Sequence, residues 1–162
     1  MQQVVKIIDG LNKVVGIILA IMLGVMSLLI IAQVISRFFI HFPLTWSEEL
    51  SRYLMVYIVF LGASLAMRHN KLISIELLPE LLTGMKRKVL LCLVFIVSIV
   101  FFVILFKQGI DMLSRVKMQS SASLGISMAF PYAAIPIGAV LLTINSIAAL
   151  LDQFIPKKED AH

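Results

Sequence analysis

The sequence predicts an all-α integral membrane protein with four transmembrane helices and both termini in the cytoplasm. It also predicts short interfacial helices at the N-terminus and in the middle loop. Three observations lead there. The chain has 162 residues and is 60% hydrophobic, well above the roughly 45–50% of a soluble domain, with a mean hydropathy of +1.03. Four long stretches are nearly free of charge. Finally, the net charge of +5 is carried by basic residues gathered in short connections between those stretches. That is a topology signal rather than a nucleic-acid-binding face, so no nucleic-acid partner is expected.

One four-helix domain is expected over residues 1–155, with a polar cytoplasmic tail at 156–162. Its spans lie at about 14–38, 46–67, 88–108 and 130–152, each near the ~20 residues that cross a hydrocarbon core of ~30 Å. The first contains 23 uncharged residues, 14–36. That is longer than the apolar region of a signal peptide, and no A-x-A-like cleavage site follows, so it reads as a retained helix. Before it, Val4, Val5, Ile7, Ile8 and Leu11 share one helical face while Lys6, Asp9 and Lys13 face away, an interfacial lead-in. The second span opens on "PLTWSEELSRY". Thr45 and Glu48 have capping-box spacing, Glu48 and Glu49 precede Arg52 at helical ion-pair spacing, and Trp46 suits the membrane boundary. Only 15 uncharged residues, 53–67, follow, about 22 Å of helix. The acids therefore sit at or just inside the boundary, where carboxylates prefer a polar partner to lipid.

The third span, 89–106, is bracketed by Lys88 and Lys107. The fourth lies in the uncharged stretch 118–151, where "QSSASLGIS" reads as polar loop and Pro131 suits a first helical turn. Pro136, one turn in, should bend the helix or free a carbonyl. Lys6, Lys13, Arg68, Lys71, Lys86, Arg87, Lys88, Lys157 and Lys158 fall on one side of this topology. Arg37, Arg52, Lys107, Arg115 and Lys117 fall on the other. The richer side is cytoplasmic by the positive-inside rule, which puts "PLTWSEEL" and "QSSASLGIS" together outside.

No span carries an ionisable residue near its middle, which weighs against an autonomous transporter or proton relay. No phosphate-cradling loop, metal-ligand spacing or nucleophile–base pair is present, so no catalytic residue, metal site or cofactor in this chain is expected. Cys92, the single cysteine, reads as a small apolar side chain. Small residues recur at four-residue spacing: Gly16, Ala20 and Gly24 in the first span, Gly62 and Ala66 in the second, Ala134 and Gly138 in the fourth. Such faces let helices approach closely, either within the unit or against another membrane subunit.

Two motifs carry a family resemblance. "WSEELSRY" with "VFLGASLAMR" supplies Trp46, Glu48, Glu49, Leu50, Tyr53, Phe60, Leu61, Gly62, Ala63, Ala66 and Arg68. "SASLGISM" with "PYAAIPIG" supplies Leu124, Gly125, Pro131, Tyr132, Pro136 and Gly138. Together, in this order, they resemble the small integral-membrane (Q-type) subunit of tripartite ATP-independent periplasmic (TRAP) transporters. One departure lies just beyond His69, where "NKLISIE" supplies no histidine and Glu76 stands in place of an aspartate.

The resemblance implies a bacterial inner-membrane scaffold, partnered by a large membrane subunit that holds the sodium and substrate sites. A periplasmic binding protein would deliver an organic anion, such as a carboxylate or a sugar acid like sialic acid. It implies that Trp46, Glu48, Glu49, Arg52, Tyr53, Gly62, Ala66, Arg68, Pro131, Tyr132, Pro136 and Gly138 serve subunit contact, lipid contact or docking. Gly16, Ala20, Gly24 and Ala134 would pack helices. A self-assembling four-helix channel or exporter is the alternative, using the Gly16–Ala20–Gly24 face to oligomerise.

Overall fold

The computed structural model describes residues 2–41, 44–68 and 85–154. Helix α1 runs Gln2–Ile35 and closes in a π-helical turn, Ser36–Ile40. Then come α2, Thr45–Arg68, and α3, Met85–Val116. A one-turn helix α4, Ala129–Tyr132, leads into α5, Ala134–Phe154. Four of these segments are long and apolar enough to cross a membrane: Val5–Phe39, Thr45–Arg68, Val89–Val116 and Ala129–Leu151. Among the described residues there is no strand, only an isolated antiparallel bridge between Ser120 and Ser127.

Two details differ from the sequence reading. The N-terminal amphipathic stretch is continuous with the first span. Gly10 is the weakest helix former in its path and breaks nothing. Helix α3 continues past residue 108 to Val116. Lys107, Asp111 and Arg115 there are exposed, no proline intervenes before Met118, and Gly109 stays within the helix. The middle-loop interfacial helix, in "LISIELLPELL", lies outside the described residues, as does the 156–162 tail. The interruption between α4 and α5 stands one turn before Pro136, as its ring requires. Pro136 has no N–H for the Tyr132 carbonyl and crowds it. The Ala133 N–H turns back to the carbonyls of Ala129 (2.9 Å) and Phe130 (3.3 Å), and Ile137 resumes the ladder onto Ala133 at 3.2 Å.

The helices form a row in the order α1, α2, α5, α3, with only a minor contact of α1 on α5. Helix α5 is the spine: half of its most apolar window is buried, against 6% for α1 and for α3. Alanines at 134, 139, 148 and 149, all buried, let neighbours close in from both sides. The core gathers Met67 of α2, Phe95 of α3 and Leu142 and Ala149 of α5, flanked by Phe60, Val94, Phe102 and Leu150. The two edge helices are also the long ones. At 1.5 Å per residue α1 is ~51 Å and α3 ~48 Å, against ~36 Å for α2 and ~32 Å for α5. Both edge helices therefore tilt in, or project from, a ~30 Å hydrocarbon layer.

Candidate functional site

One end of the row, the loop end, carries the start of α2, the 117–128 connection and the end of α1. The connection folds on itself through backbone bonds from Ser121 N to Ile126 O and from Met128 N to Gln119 O, both 2.8 Å. Gly125 turns it at φ +66°, in the left-handed region that glycine enters freely. The Ser127 hydroxyl donates to the Lys117 carbonyl at 2.9 Å.

Glu49 holds this loop to α2. Its Oε2 accepts the backbone N–H groups of Ser123 (2.8 Å) and Leu124 (3.3 Å), and its Oε1 accepts the Tyr53 hydroxyl. The Leu124 N–H is shared with the Ser121 hydroxyl at 3.2 Å. Tyr53 is buried, and its hydroxyl also lies 3.3 Å from the Met128 sulfur. One turn on, the Tyr57 hydroxyl donates to the Phe130 carbonyl at 2.7 Å, and the two rings tilt together at 5.9 Å between centroids. The polar partner that the boundary carboxylate requires is thus the chain's own loop, 74 residues away in sequence. Backbone donors aimed at an ionised carboxylate are the stronger class of hydrogen bond.

The neighbouring charges behave differently. Arg52 pairs with Glu48 at 3.2 Å in an exposed i, i+4 contact, worth little by itself. Trp46 is 43% exposed. The local bond at the start of α2 comes from Ser47, whose hydroxyl donates to Leu44 O at 2.8 Å, while Glu48 faces Arg52 rather than closing a capping box with Thr45. These three side chains, Trp46, Glu48 and Arg52, are the part of the motif turned outward.

At the opposite end Arg68 reaches Asp9 at 2.8 Å across α2 and α1. A turn further along α1, Asn12 and Asn145 form a reciprocal amide pair at 2.7 and 3.0 Å, and Asn145 also donates to Ser64 O at 2.8 Å. Both asparagines are buried, so this pair pins α1, α2 and α5 at one point. Asn12 was not foreseen from the sequence because it falls on the lead-in, outside the uncharged run. The sequence signal that could have found it was a polar residue among Val5, Ile8 and Val15 on the inward stripe.

Among the small residues the structure separates uses that the sequence left open. A side chain at Gly16 would meet Leu65 at 3.8 Å, and one at Gly62 would meet Leu19 at 3.9 Å, so both glycines serve α1–α2 packing. A Cβ on Gly138 would lie 2.5 Å from the Cβ of Phe60, so α5 and α2 touch there backbone to side-chain root. Ala134 is buried and Ala66 half-buried. Pro136 packs against Gly109, whose Cβ would lie 3.0 Å from its ring. Gly109 went unnoticed in the sequence beside Lys107 and Gln108. Pro131 is buried and Tyr132 half-buried. Ala20 is exposed, and Gly24 has nothing within 4 Å of its would-be side chain, so that part of the stripe faces outward. No cluster of potential metal ligands occurs among the described residues.

Comparison with known proteins bears on this arrangement. Residues 26–155 match the family described as tripartite ATP-independent periplasmic transporters, DctQ component. The chain is 34% identical over 121 residues to the sialic acid TRAP transporter permease protein SiaT of Haemophilus influenzae. That match covers 75% of this chain but only 20% of SiaT. It is 24% identical over 170 residues to the sialic acid TRAP transporter small permease protein SiaQ of Vibrio cholerae, covering 94% of this chain and 96% of SiaQ.

Proposed function

The chain belongs to the DctQ-component family of TRAP transporters, a transporter-subunit family and not an enzyme family, and from that premise we propose that it is the stationary small subunit of a sodium-coupled uptake system for an organic anion. It is a multi-pass membrane protein, which the family locates in the bacterial inner membrane. Its partners are a large membrane subunit, which supplies the sodium and substrate sites, and a periplasmic binding protein. Both termini face the cytoplasm, by the excess of Lys and Arg at the termini and in the middle loop. The loop end then faces the periplasm. A sugar acid of the sialic acid kind is the substrate class, by likeness to the two named relatives.

The observation that carries the scaffold reading is the row itself. A layer one helix thick buries only 6% of the core window of α1 and of α3. It offers broad apolar faces for a larger membrane partner and for lipid, and its ionisable side chains cluster at its ends. Glu49 and Tyr53 act on this reading from inside: they hold the 117–128 loop in one shape. Trp46, Glu48 and Arg52 present the surface beside it. The binding protein lands on that shared edge.

The test has two arms. A tagged chain, gently solubilised from its native membrane, should bring down a large multi-span protein in fixed stoichiometry. The purified pair in liposomes should take up labelled sialic acid only with the binding protein and an inward sodium gradient. Recovery of this chain alone as a homo-oligomer would overturn the scaffold assignment and favour the self-assembling channel. Uptake without sodium would overturn the coupling alone.

A further inference from the structure

At the loop end, the last turns of α1 and the first turn of α2 enclose an open cleft of about 370 Å³, lined by Gln33, Arg37, His41, Leu44, Thr45 and Glu48. Three of these stand four residues apart: Gln33 near the end of α1, Arg37 in the π turn and His41 just past it. In a regular α-helix, positions four apart drift by ~40° around the axis. Here the final turn, Ser36–Ile40, is π-helical, and its wider i→i+5 closure takes up more residues per revolution. The stripe therefore stays aligned on α2. His41 ends the turn at φ 57° with its N–H on the Ser36 carbonyl, a conformation that non-glycine residues seldom adopt. His41 thereby stays among the residues that line the cleft.

Arg37 is the first charge after the 23 uncharged residues of the span. Among the described residues it has no ion-pair partner, whereas Glu48 across the cleft is already paired with Arg52 at 3.2 Å. An arginine at the hydrocarbon boundary without a carboxylate calls for an anion, and the guanidinium fork fits phosphate oxygens in pairs. The surroundings show which anion. Phe38 and Phe39, beside Arg37, are 70% and 80% exposed, and Leu44 forms the apolar side of the cleft. A soluble anion would leave these surfaces bare, while acyl chains cover them.

We infer that this cleft is a phospholipid site, in which Arg37 and His41 bind the headgroup phosphate, Glu48 faces the headgroup's amine, and the acyl chains lie against Phe38 and Phe39. The site does not depend on which leaflet the end faces, since each supplies the ligand.

The test is native mass spectrometry of the full chain, delipidated in detergent and then titrated with dioleoyl phosphatidylethanolamine. One retained lipid per chain is expected. Arg37→Gln should lower its retention at least fivefold, and Arg37→Lys, which keeps the charge but loses the paired fork, should restore it only in part. Lys117→Gln, at the same end but outside the cleft, should leave it unchanged. Dioleoylglycerol, with the same chains and no phosphate, should not be retained. Unchanged retention in Arg37→Gln, or equal retention of dioleoylglycerol, would overturn the site. Binding of inorganic phosphate with no lipid adduct would overturn the lipid as its ligand.

Discussion

Gly138 should be the position least able to accept a single extra methyl group. An alanine there would put its Cβ 2.5 Å from the Cβ of Phe60, 2.7 Å from its Cδ1 and 2.8 Å from its Cγ. Rotating the ring cannot relieve the first of these contacts, because the Phe60 Cβ is fixed to the α2 backbone. The helices must separate by nearly 1 Å to move that pair from 2.5 Å to the 3.4 Å at which ordinary contact begins. Close-packed interiors resist such a shift, and overpacking costs typically about 1–3 kcal/mol. The α2–α5 contact runs along the core, so the upper end of that range applies. At roughly 2–4 °C per kcal/mol for a chain of this size, Gly138→Ala should lower the melting temperature of the purified subunit by about 6–12 °C. Gly16→Ala and Gly62→Ala are built-in controls. Their new methyl groups would meet Leu65 and Leu19 at 3.8 and 3.9 Å, an ordinary contact, and alanine is the better helix former by up to about 1 kcal/mol. They should melt at or above wild type. The assay is thermal unfolding in one detergent, read by tryptophan fluorescence of Trp46 and by loss of the monodisperse peak. A Gly138→Ala variant that melts with wild type would refute the close approach, and equal damage from all three would refute the distinction among them.

Three further outcomes are expected. Glu49→Gln should speed hydrogen exchange of the Ser123 and Leu124 amides severalfold while leaving α5 amides unchanged, because one amide cannot replace both carboxylate oxygens as acceptors; hydrogen-exchange mass spectrometry reads this directly. Asn145→Leu should destabilise the subunit by about 1–2 kcal/mol by stranding the Asn12 amide. The double variant Asn12→Leu/Asn145→Leu should cost less than the sum of the two singles, by melting measured as a double-mutant cycle. Arg52→Gln should change stability by under about 1 kcal/mol, since both Arg52 and Glu48 are exposed, and the change should shrink further in molar salt.

Much of the fold was legible because hydropathy acts locally. Each span announces itself by its own composition, and Pro136 marks its helix break through its missing N–H. The ends were less legible. The charge at Lys107 looked like the place for the third span to stop, yet an exposed helix tolerates it. Partners were the hardest to read. The sequence shows that Glu49 needs a polar neighbour at the boundary. It cannot show that the neighbour is the backbone of Ser123 and Leu124, because main-chain N–H groups look alike at every position. The same limit hid Asn12, whose amide matters only through Asn145, 133 residues away. Four-residue spacing likewise marked Gly16, Gly24 and Gly138 as equals, although one meets a leucine tip, one meets nothing and one meets the root of a phenylalanine.

Together these contacts explain how a row one helix thick can hold its shape. Apolar side chains alone do little to order helices in lipid, because the tails are as apolar as leucine. The row is instead fastened at both ends by bonds that have no equal in hydrocarbon. Asn12, Asn145 and the Ser64 carbonyl join α1, α2 and α5 toward one end, with Asp9 and Arg68 beside them. At the other end Glu49, Tyr53 and Tyr57 join α2 to the chain entering α5. Between the two fastenings, Gly138 on Phe60 and Gly109 on Pro136 set the spacing of α5 from its neighbours on either side. Releasing one fastening should therefore loosen that end and leave the other intact, whereas changing the spacing at Gly138 should disturb both. Hydrogen exchange measured on Glu49→Gln, Asn145→Leu and Gly138→Ala side by side would separate the two patterns. Uniform loosening in all three would show that the row behaves as one cooperative unit with no separable ends.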